Sequence, residues 1–369
     1  EIIVGKEYQI ESKILNEKRK IKVYLPPSHQ DSTLIESYPI LYVLDGDWYF
    51  QMLTGIIEYS KGSFRMPEMI VVGISNNDRI KELTPSFAST DMFGNEIPGL
   101  ENSGGGNAFI RFLKEELKPH IQTEYRAGEF EIIAGHSFGG LLVNHIFTRE
   151  QDMFNAYILI DPSFWWNGRE QIRQTESFLQ ANPQLKSLLY FGEADNAHTE
   201  TTNNAPHIEA MDAYKLLIKN APSENLSYQF DLFEGETHAS VGIPSMYKAL
   251  SFIFEGYRPA DSVFQNPLWL SNHYAGLSSR LGVKMPPPES LVRNLAWGAQ
   301  YGEKNLHKAI AFFELNLKNY PDSFFLHKIL GEACEQNEQK EKAMTHFKKS
   351  LKLQADPVLQ KKLEEMQAN

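Results

Sequence analysis

Cysteine is almost missing from this 369-residue chain. Cys334 stands alone, so no disulfide can form within it. No run of about 18 apolar residues occurs, so no segment is expected to span a membrane as a helix. Basic residues are outnumbered, 36 against 47 acidic, for a formal net charge of −11. That balance argues against nucleic acid or an anionic membrane surface as the main partner. There is no His-x-x-x-His pair and no cysteine cluster, so no metal is expected. There is no Gly-x-x-x-x-Gly-Lys loop either. Ser103-Gly104-Gly105-Gly106 follows no strand and reads as a hinge and helix cap, not a nucleotide cradle. No cofactor is therefore expected. Scarce cysteine suits a cytoplasmic chain or an exported bacterial one. The start at Glu1, almost directly at a strand, leans toward a periplasmic or secreted protein whose signal peptide has been removed.

What is present is a soluble-protein composition, 42% apolar, in runs that alternate between strand and helix patterns. Residues 8–16 and 19–25 read as an opening hairpin. Further strands are expected at 38–44, 69–74, 130–136, 156–160, 188–191 and 227–233, several of them apolar throughout, as buried parallel strands are. Helical patterns at 107–119, 140–149, 206–219 and 244–255 lie between them. The order predicts an α/β domain over residues 1–256 built on a doubly wound, mostly parallel eight-stranded sheet. Residues 257–288, with Pro259, Pro267 and Pro286-Pro287-Pro288, read as a Pro-rich linker with one short helix. From 289 to 369 the pattern is all-helical: 289–301, 305–319, 323–336, 339–353 and a capping helix at 356–367. Ala309 and Ala343 are 34 residues apart, as are Phe313 and Phe347, Leu317 and Leu351, and Ala299 and Ala333. A 34-residue period of helix pairs resembles the tetratricopeptide repeat. Two such repeats are few, so they are expected to pack on the first domain, pair with a second copy, or take a protein partner.

Gly135-His136-Ser137-Phe138-Gly139 follows the apolar run 130–134 and precedes a helix. Gly-x-Ser-x-Gly between a strand and a helix is a nucleophile elbow, in which a sharp turn lifts the serine hydroxyl above the sheet edge. Both flanking positions read as too tight for a side chain. Ser137 then needs a base and an orienting acid, which follow in the chain order acid, histidine. His238, in the loop after the last strand and just before a helix, is the expected base. Asp195, in Gly192-Glu193-Ala194-Asp195-Asn196 after the strand at 188–191, is the expected acid, with Glu193 the alternative. His136 reads as an orienting side chain, and His198 and His207 as loop or helix-cap residues, with lining the pocket as the alternative for either. The oxyanion needs two backbone donors. Phe138 N–H follows the nucleophile, and Asp47 N–H follows the turn Asp45-Gly46 at the end of a buried strand.

The stretches 38–46, Arg79 with Leu83-Thr84-Pro85, Gly105–Phe109 leading to Glu116-Leu117-x-Pro119, Gly135–Gly140 and Asp161-Pro162-Ser163-Phe164-Trp165-Trp166 together resemble the putative-esterase family of α/β-hydrolases, its siderophore-esterase branch above all. The resemblance covers about residues 5–255. It implies an α/β-hydrolase fold, Ser137 as nucleophile and His238 as general base, and a carboxylic ester cleaved through an acyl-enzyme. Asp161 stands where the family often has a serine before the proline, a change expected to alter the pocket wall. The substrate, a small-molecule ester, is expected between the insertion at 76–106 and the 163–166 segment. There Arg79 either holds an anionic group or braces its loop, and Trp165 and Trp166 either stack on an aromatic group or fill space beside the sheet. A ferric catecholate needs several cations, and only Arg79 and Lys81 are near. A general carboxyl, feruloyl or acetyl esterase therefore stays open, as does a protein-binding scaffold acting through the helices.

Overall fold

The computed structural model describes residues 3–61, 65–198 and 204–368. Contacts divide the chain into two units, residues 1–26 with 38–255 and residues 27–37 with 256–369.

The first unit is a single eight-stranded sheet: β1 (Lys6–Ser12), β2 (Glu17–Tyr24), β3 (Tyr38–Val43), β4 (Ile70–Ile74), β5 (Ala127–His136), β6 (Ala156–Ile160), β7 (Ser187–Ala194) and β8 (Leu226–Phe233). Its spatial order is β1-β2-β4-β3-β5-β6-β7-β8. β2 runs antiparallel to both neighbours, and every pairing from β4 to β8 is parallel. β3, β4 and β6 are buried at every residue, because helices cover both faces and no strand residue can turn to water. Those helices are α1 (Gly46–Lys61), α2 (Arg79–Leu83), α3 (Gly106–Phe112), α4 (Lys118–Glu124), α5 (Phe138–Arg149), α6 (Trp166–Ala181), α7 (Ala205–Lys219) and α8 (Gly242–Ile253). A π turn at Leu113–Leu117 joins α3 to α4.

Three of these helices, α1, α2 and α6, stand where the sequence suggested turn, insertion and loop. The chain bends at Leu44 and Asp45, and α1 starts directly after them at Gly46. The first turn of α6 is broken by Asn167, Gly168 and Arg169, all left-handed, and the segment beyond is mostly polar, which hides its period.

The second unit holds α9 (Pro267–Leu281), α10 (Glu289–Trp297), α11 (Leu306–Asn319), α12 (Phe324–Gln336), α13 (Lys340–Leu353) and α14 (Pro357–Ala368). The residues expected as a linker thus contain a 15-residue helix with Leu270, Tyr274, Leu277 and Leu281 buried. Its prolines misled, because Pro267 occupies the first turn, where no N–H is needed. Asn266 caps it by accepting from Leu268 N–H and Trp269 N–H, and Gly282 ends it at φ +77. The 34-residue pairs share their burial. Ala309 and Ala343, Phe313 and Phe347, and Ala299 and Ala333 are all buried, and Leu317 and Leu351 are both half-buried.

The strap 27–37 belongs to this unit through two reciprocal hydrogen bonds. Ile35 N–H donates to Glu289 Oε2 at 2.7 Å, and Glu289 N–H donates to Glu36 Oε2 at 2.6 Å. Arg293 adds Thr33 Oγ1 at 2.8 Å and Asp31 Oδ2 at 3.2 Å.

Candidate active site

Three neighbouring strands end in the same way. Asp45 after β3, Ser137 after β5 and Asp161 after β6 all have positive φ, at +53, +59 and +42. Non-glycine residues avoid this region, at a cost of order 1–3 kcal/mol each. The cluster therefore marks the carboxyl edge of β3, β5 and β6 as over-determined by its surroundings. The main chain supplies the constraint: Ser137 N–H donates to Ile160 O at 2.9 Å and Asp161 N–H to Gly192 O at 2.8 Å. At the elbow, a Cβ on Gly135 would lie 2.4 Å from the Gly139 carbonyl carbon, so glycine is obligatory there. A Cβ on Gly139 would meet its nearest neighbour, Asp45 Oδ2, at 3.5 Å, an ordinary contact. The expectation that both flanking positions exclude side chains therefore holds for Gly135 alone.

Ser137 Oγ lies 3.2 Å from Ser163 Oγ, and Ser163 N–H donates to Ser137 O at 3.2 Å. The β6–α6 segment thus packs on the elbow. His238, in the loop between β8 and α8, has its ring 4.5 Å from that of His136, which brings it beside the elbow. His136 itself is buried, and burial first, then the nearby His238, push its pKa down to about 3. It is neutral at ordinary pH and suits packing, not proton transfer.

The acid facing His238 is Asp161, not Asp195. His238 Nδ1 lies 2.5 Å from Asp161 Oδ2, and His207 Nε2 lies 3.4 Å from the same oxygen. The other oxygen, Oδ1, accepts from Ala194 N–H at 3.1 Å and Asn196 Nδ2 at 3.0 Å. The Asp161 side chain is 0% exposed. Burial alone would raise its pKa, but the hydrogen bonds and charges of His207 and His238 outweigh it and hold the carboxyl well below the usual range. Asp195 instead pairs with His198 Nδ1 at 2.6 Å, and the His198 side chain is 81% exposed. Glu193 is drawn to Lys215 Nζ at 2.5 Å. Asp195, one residue past β7, turns its carboxylate to its own loop and to Gly235 N–H. Sequence reasoning met Asp161 only as a pocket-wall change, and His207 and Ser163 only as pocket-lining candidates, not as partners of the acid and the nucleophile. The sign available was an acidic residue ending an apolar strand directly before a proline.

Phe138 N–H and Asp47 N–H both lie in the first turn of a helix, α5 and α1, where no residue of the helix can accept from them. α1 and α5 start beyond β3 and β5, which pair in the sheet, so the two donors sit at one edge. Arg79 braces this edge. Its Nε and Nη2 donate to Asp45 Oδ1 and Oδ2 at 2.8 and 2.9 Å, and Nη2 reaches His136 O at 3.4 Å. Asn76 Nδ2 also donates to Asp45 Oδ1. α2, which carries Arg79, is pinned by the buried Arg19, which donates to both Glu82 oxygens at 2.6 and 2.9 Å. Of the two tryptophans, Trp166 is 1% exposed and donates its Nε1–H to Ser86 O at 3.0 Å. It cannot stack on a ligand. Trp165 is half-buried, with its ring 5.9 Å from that of Phe138. No helix among the described residues is long and apolar enough to cross a membrane.

Comparison with known proteins finds relatives in sequence and in fold. Two curated relatives are the ferri-bacillibactin esterase BesA of Bacillus subtilis and the siderophore triacetylfusarinine C esterase of Aspergillus fumigatus. The first is 29% identical over 237 residues, covering 58% of this chain and 78% of that protein. The second is 25% identical over 245 residues, covering 59% and 82%. In fold, the chain is similar to an IroE-like serine hydrolase from Shewanella oneidensis, with a TM-score of 0.76 at 23% identity over 85% of this chain and 99% of that one. It is also similar to an uncharacterised protein from Capnocytophaga ochracea, with a TM-score of 0.62 at 21% identity over 99% and 100%. Residues 12–244 match the family described as Putative esterase, and with well over half of its length inside that match, the chain belongs to this family.

Proposed function

We propose that this chain is a serine hydrolase that cleaves carboxylic esters through an acyl-enzyme, with Ser137 as nucleophile, His238 as base and Asp161 as the acid. The observation that carries the reading is Asp161 Oδ2 at 2.5 Å from His238 Nδ1, beside a serine raised on a left-handed turn at a helix start. An ionised Asp161 holds the proton on Nδ1, so Nε2 keeps its lone pair for the Ser137 hydroxyl. As Ser137 Oγ attacks the ester carbonyl, His238 takes its proton and then gives it to the leaving alcohol. A water activated the same way releases the acyl group. Phe138 and Asp47 N–H groups receive the oxyanion, assisted by the positive ends of α5 and α1.

The substrate is a siderophore-type ester, a class supported by the names of the relatives. Arg79 serves as a brace, because its Nε and Nη2 form a two-point pair with the Asp45 carboxylate. Trp165 is the aromatic surface that flanks the acyl group. Initial rates of wild type and Ser137→Ala on catecholate-trilactone, hydroxamate, feruloyl and short-chain acyl esters test both parts. The variant should lose on the order of 10^4–10^6 in kcat. Wild-type rates in Ser137→Ala would refute the mechanism. Turnover confined to feruloyl or short-chain esters would refute the substrate class.

A further inference from the structure

Asp161 receives two imidazoles where a triad requires one. His207, near the start of α7, is buried to within 4% and sits 3.4 Å from Asp161 Oδ2, the oxygen that His238 also holds. The two rings meet edge to face at 5.8 Å. One carboxylate oxygen and one nitrogen from each histidine all lie within 4.8 Å of one another.

We propose that Asp161, His207 and His238 form a binding site for a single Zn2+ ion, and that an ion held there stops ester cleavage. Two imidazole nitrogens and one carboxylate oxygen are a donor set that Zn2+ accepts in tetrahedral geometry, with water as the fourth ligand. With bonds of about 2.0–2.1 Å, tetrahedral ligand atoms stand about 3.3–3.4 Å apart. The Asp161–His207 separation already has that value. The Asp161–His238 separation is 2.5 Å and has to open. His238 is the ligand able to move: it lies on a loop and its side chain is 38% exposed, whereas Asp161 is fixed through Oδ1 by Ala194 and Asn196.

The proton balance closes without an added acid or base. His238 loses the proton on Nδ1 to make the bond to zinc and, through solvent, takes one on Nε2. His207 exchanges its Nε2 proton for one on Nδ1 in the same way. Among the described residues, His207 Nδ1 has no hydrogen-bond partner, so no second bond locks its tautomer. A neutral His238 protonated on Nε2 has no lone pair to offer the Ser137 hydroxyl. The ion therefore inhibits from behind the base without touching the nucleophile. This second half rests on the serine-hydrolase reading, and the binding site itself does not.

The test is Zn2+ titration of the full chain against a chromophoric chelator, for wild type, Ser137→Ala, His207→Gln and His238→Gln, with melting curves to show that each variant is folded. Glutamine keeps an N–H donor for Asp161 but is a poor zinc ligand. Wild type and Ser137→Ala should bind one ion per chain with equal Kd. Both glutamine variants should bind at least tenfold more weakly. Mg2+ should not compete, because it prefers an oxygen cage. Wild-type hydrolysis should fall as the ion binds and return with chelator, and the zinc sensitivity of His207→Gln is read against its own zinc-free rate. Equal affinity in His207→Gln, or tenfold weaker binding in Ser137→Ala, would place the ion elsewhere and overturn the proposal. Zinc binding that His207→Gln weakens, in a protein that cleaves no ester, would leave the site standing and refute the hydrolase reading instead.

Discussion

Two loops at the same sheet edge each place an aspartate just past a strand. After β6, Asp161 is fully buried, left-handed, held by two main-chain or amide donors and faced by two histidines. After β7, Asp195 is held by a histidine that stands mostly in water. By residue type and spacing the two are equivalent. What separates them is enclosure. A carboxylate can orient an imidazole only if its own position is fixed and water cannot replace the imidazole. The lesson is that an acid is identified by what immobilises it, which sequence shows poorly.

The sharpest way to break this contrast is to neutralise each carboxylate in turn. Asp161→Asn should lower kcat by about 10^3–10^4, because an amide stabilises the wrong His238 tautomer. Steady-state kinetics on an activated ester reads the loss. Retention of more than a tenth of the wild-type rate would remove Asp161 from the mechanism.

The elbow that Asp161 supports offers the next largest effect. Gly135→Ala should destabilise the fold by about 2–3 kcal/mol, since its Cβ meets backbone that cannot yield. Gly139→Ala should change stability by less than about 1 kcal/mol. Denaturant melts of both variants check this, and equal losses would contradict the glycine geometry.

Acid sharpens the comparison in another way. Unfolded, His136 titrates at its ordinary value, and folded it does so at about 3. The unfolded chain therefore binds the extra proton between these pH values, and stability falls as pH drops through that window. Asp161, whose folded pKa is also depressed, adds its own loss only below the ordinary carboxylate range. Melting temperature should thus decline in two stages, the first shallower in His136→Gln. An unchanged first stage in that variant would leave it to other depressed imidazoles, such as His145 and His346.

The smallest effect is expected at the other loop. Asp195→Asn and His198→Ala should leave kcat within about threefold, as exposed ion pairs contribute little. A hundredfold loss in either would return Asp195 to the site.

Most of the sheet was legible because its strands are apolar on both faces, and 156–160 coincides with β6 to the residue. Ser137 was legible because the elbow motif carries its own geometry. The acid was not, because 77 residues separate Asp161 from His238 and only the sheet order brings β6, β7 and the β8–α8 loop to one edge. α9 was expected only as one short helix because prolines were read as breaks, although Asn266, Pro267 and Gly282 spell its start and stop. His207 carried no readable sign, since a histidine in the first turn of a helix looks the same whether or not a carboxylate lies below it.

The strap has a consequence in time. Its partner Glu289 lies 253 residues beyond Glu36 and 254 beyond Ile35. At about 5–20 residues per second, synthesis leaves the strap waiting roughly 10–50 s after it emerges before Glu289 exists. Leu34 and Glu36, both buried in the finished protein, flank the Ile35 N–H that waits for Glu289. A chain that stops short of Glu289 cannot make either of these two hydrogen bonds.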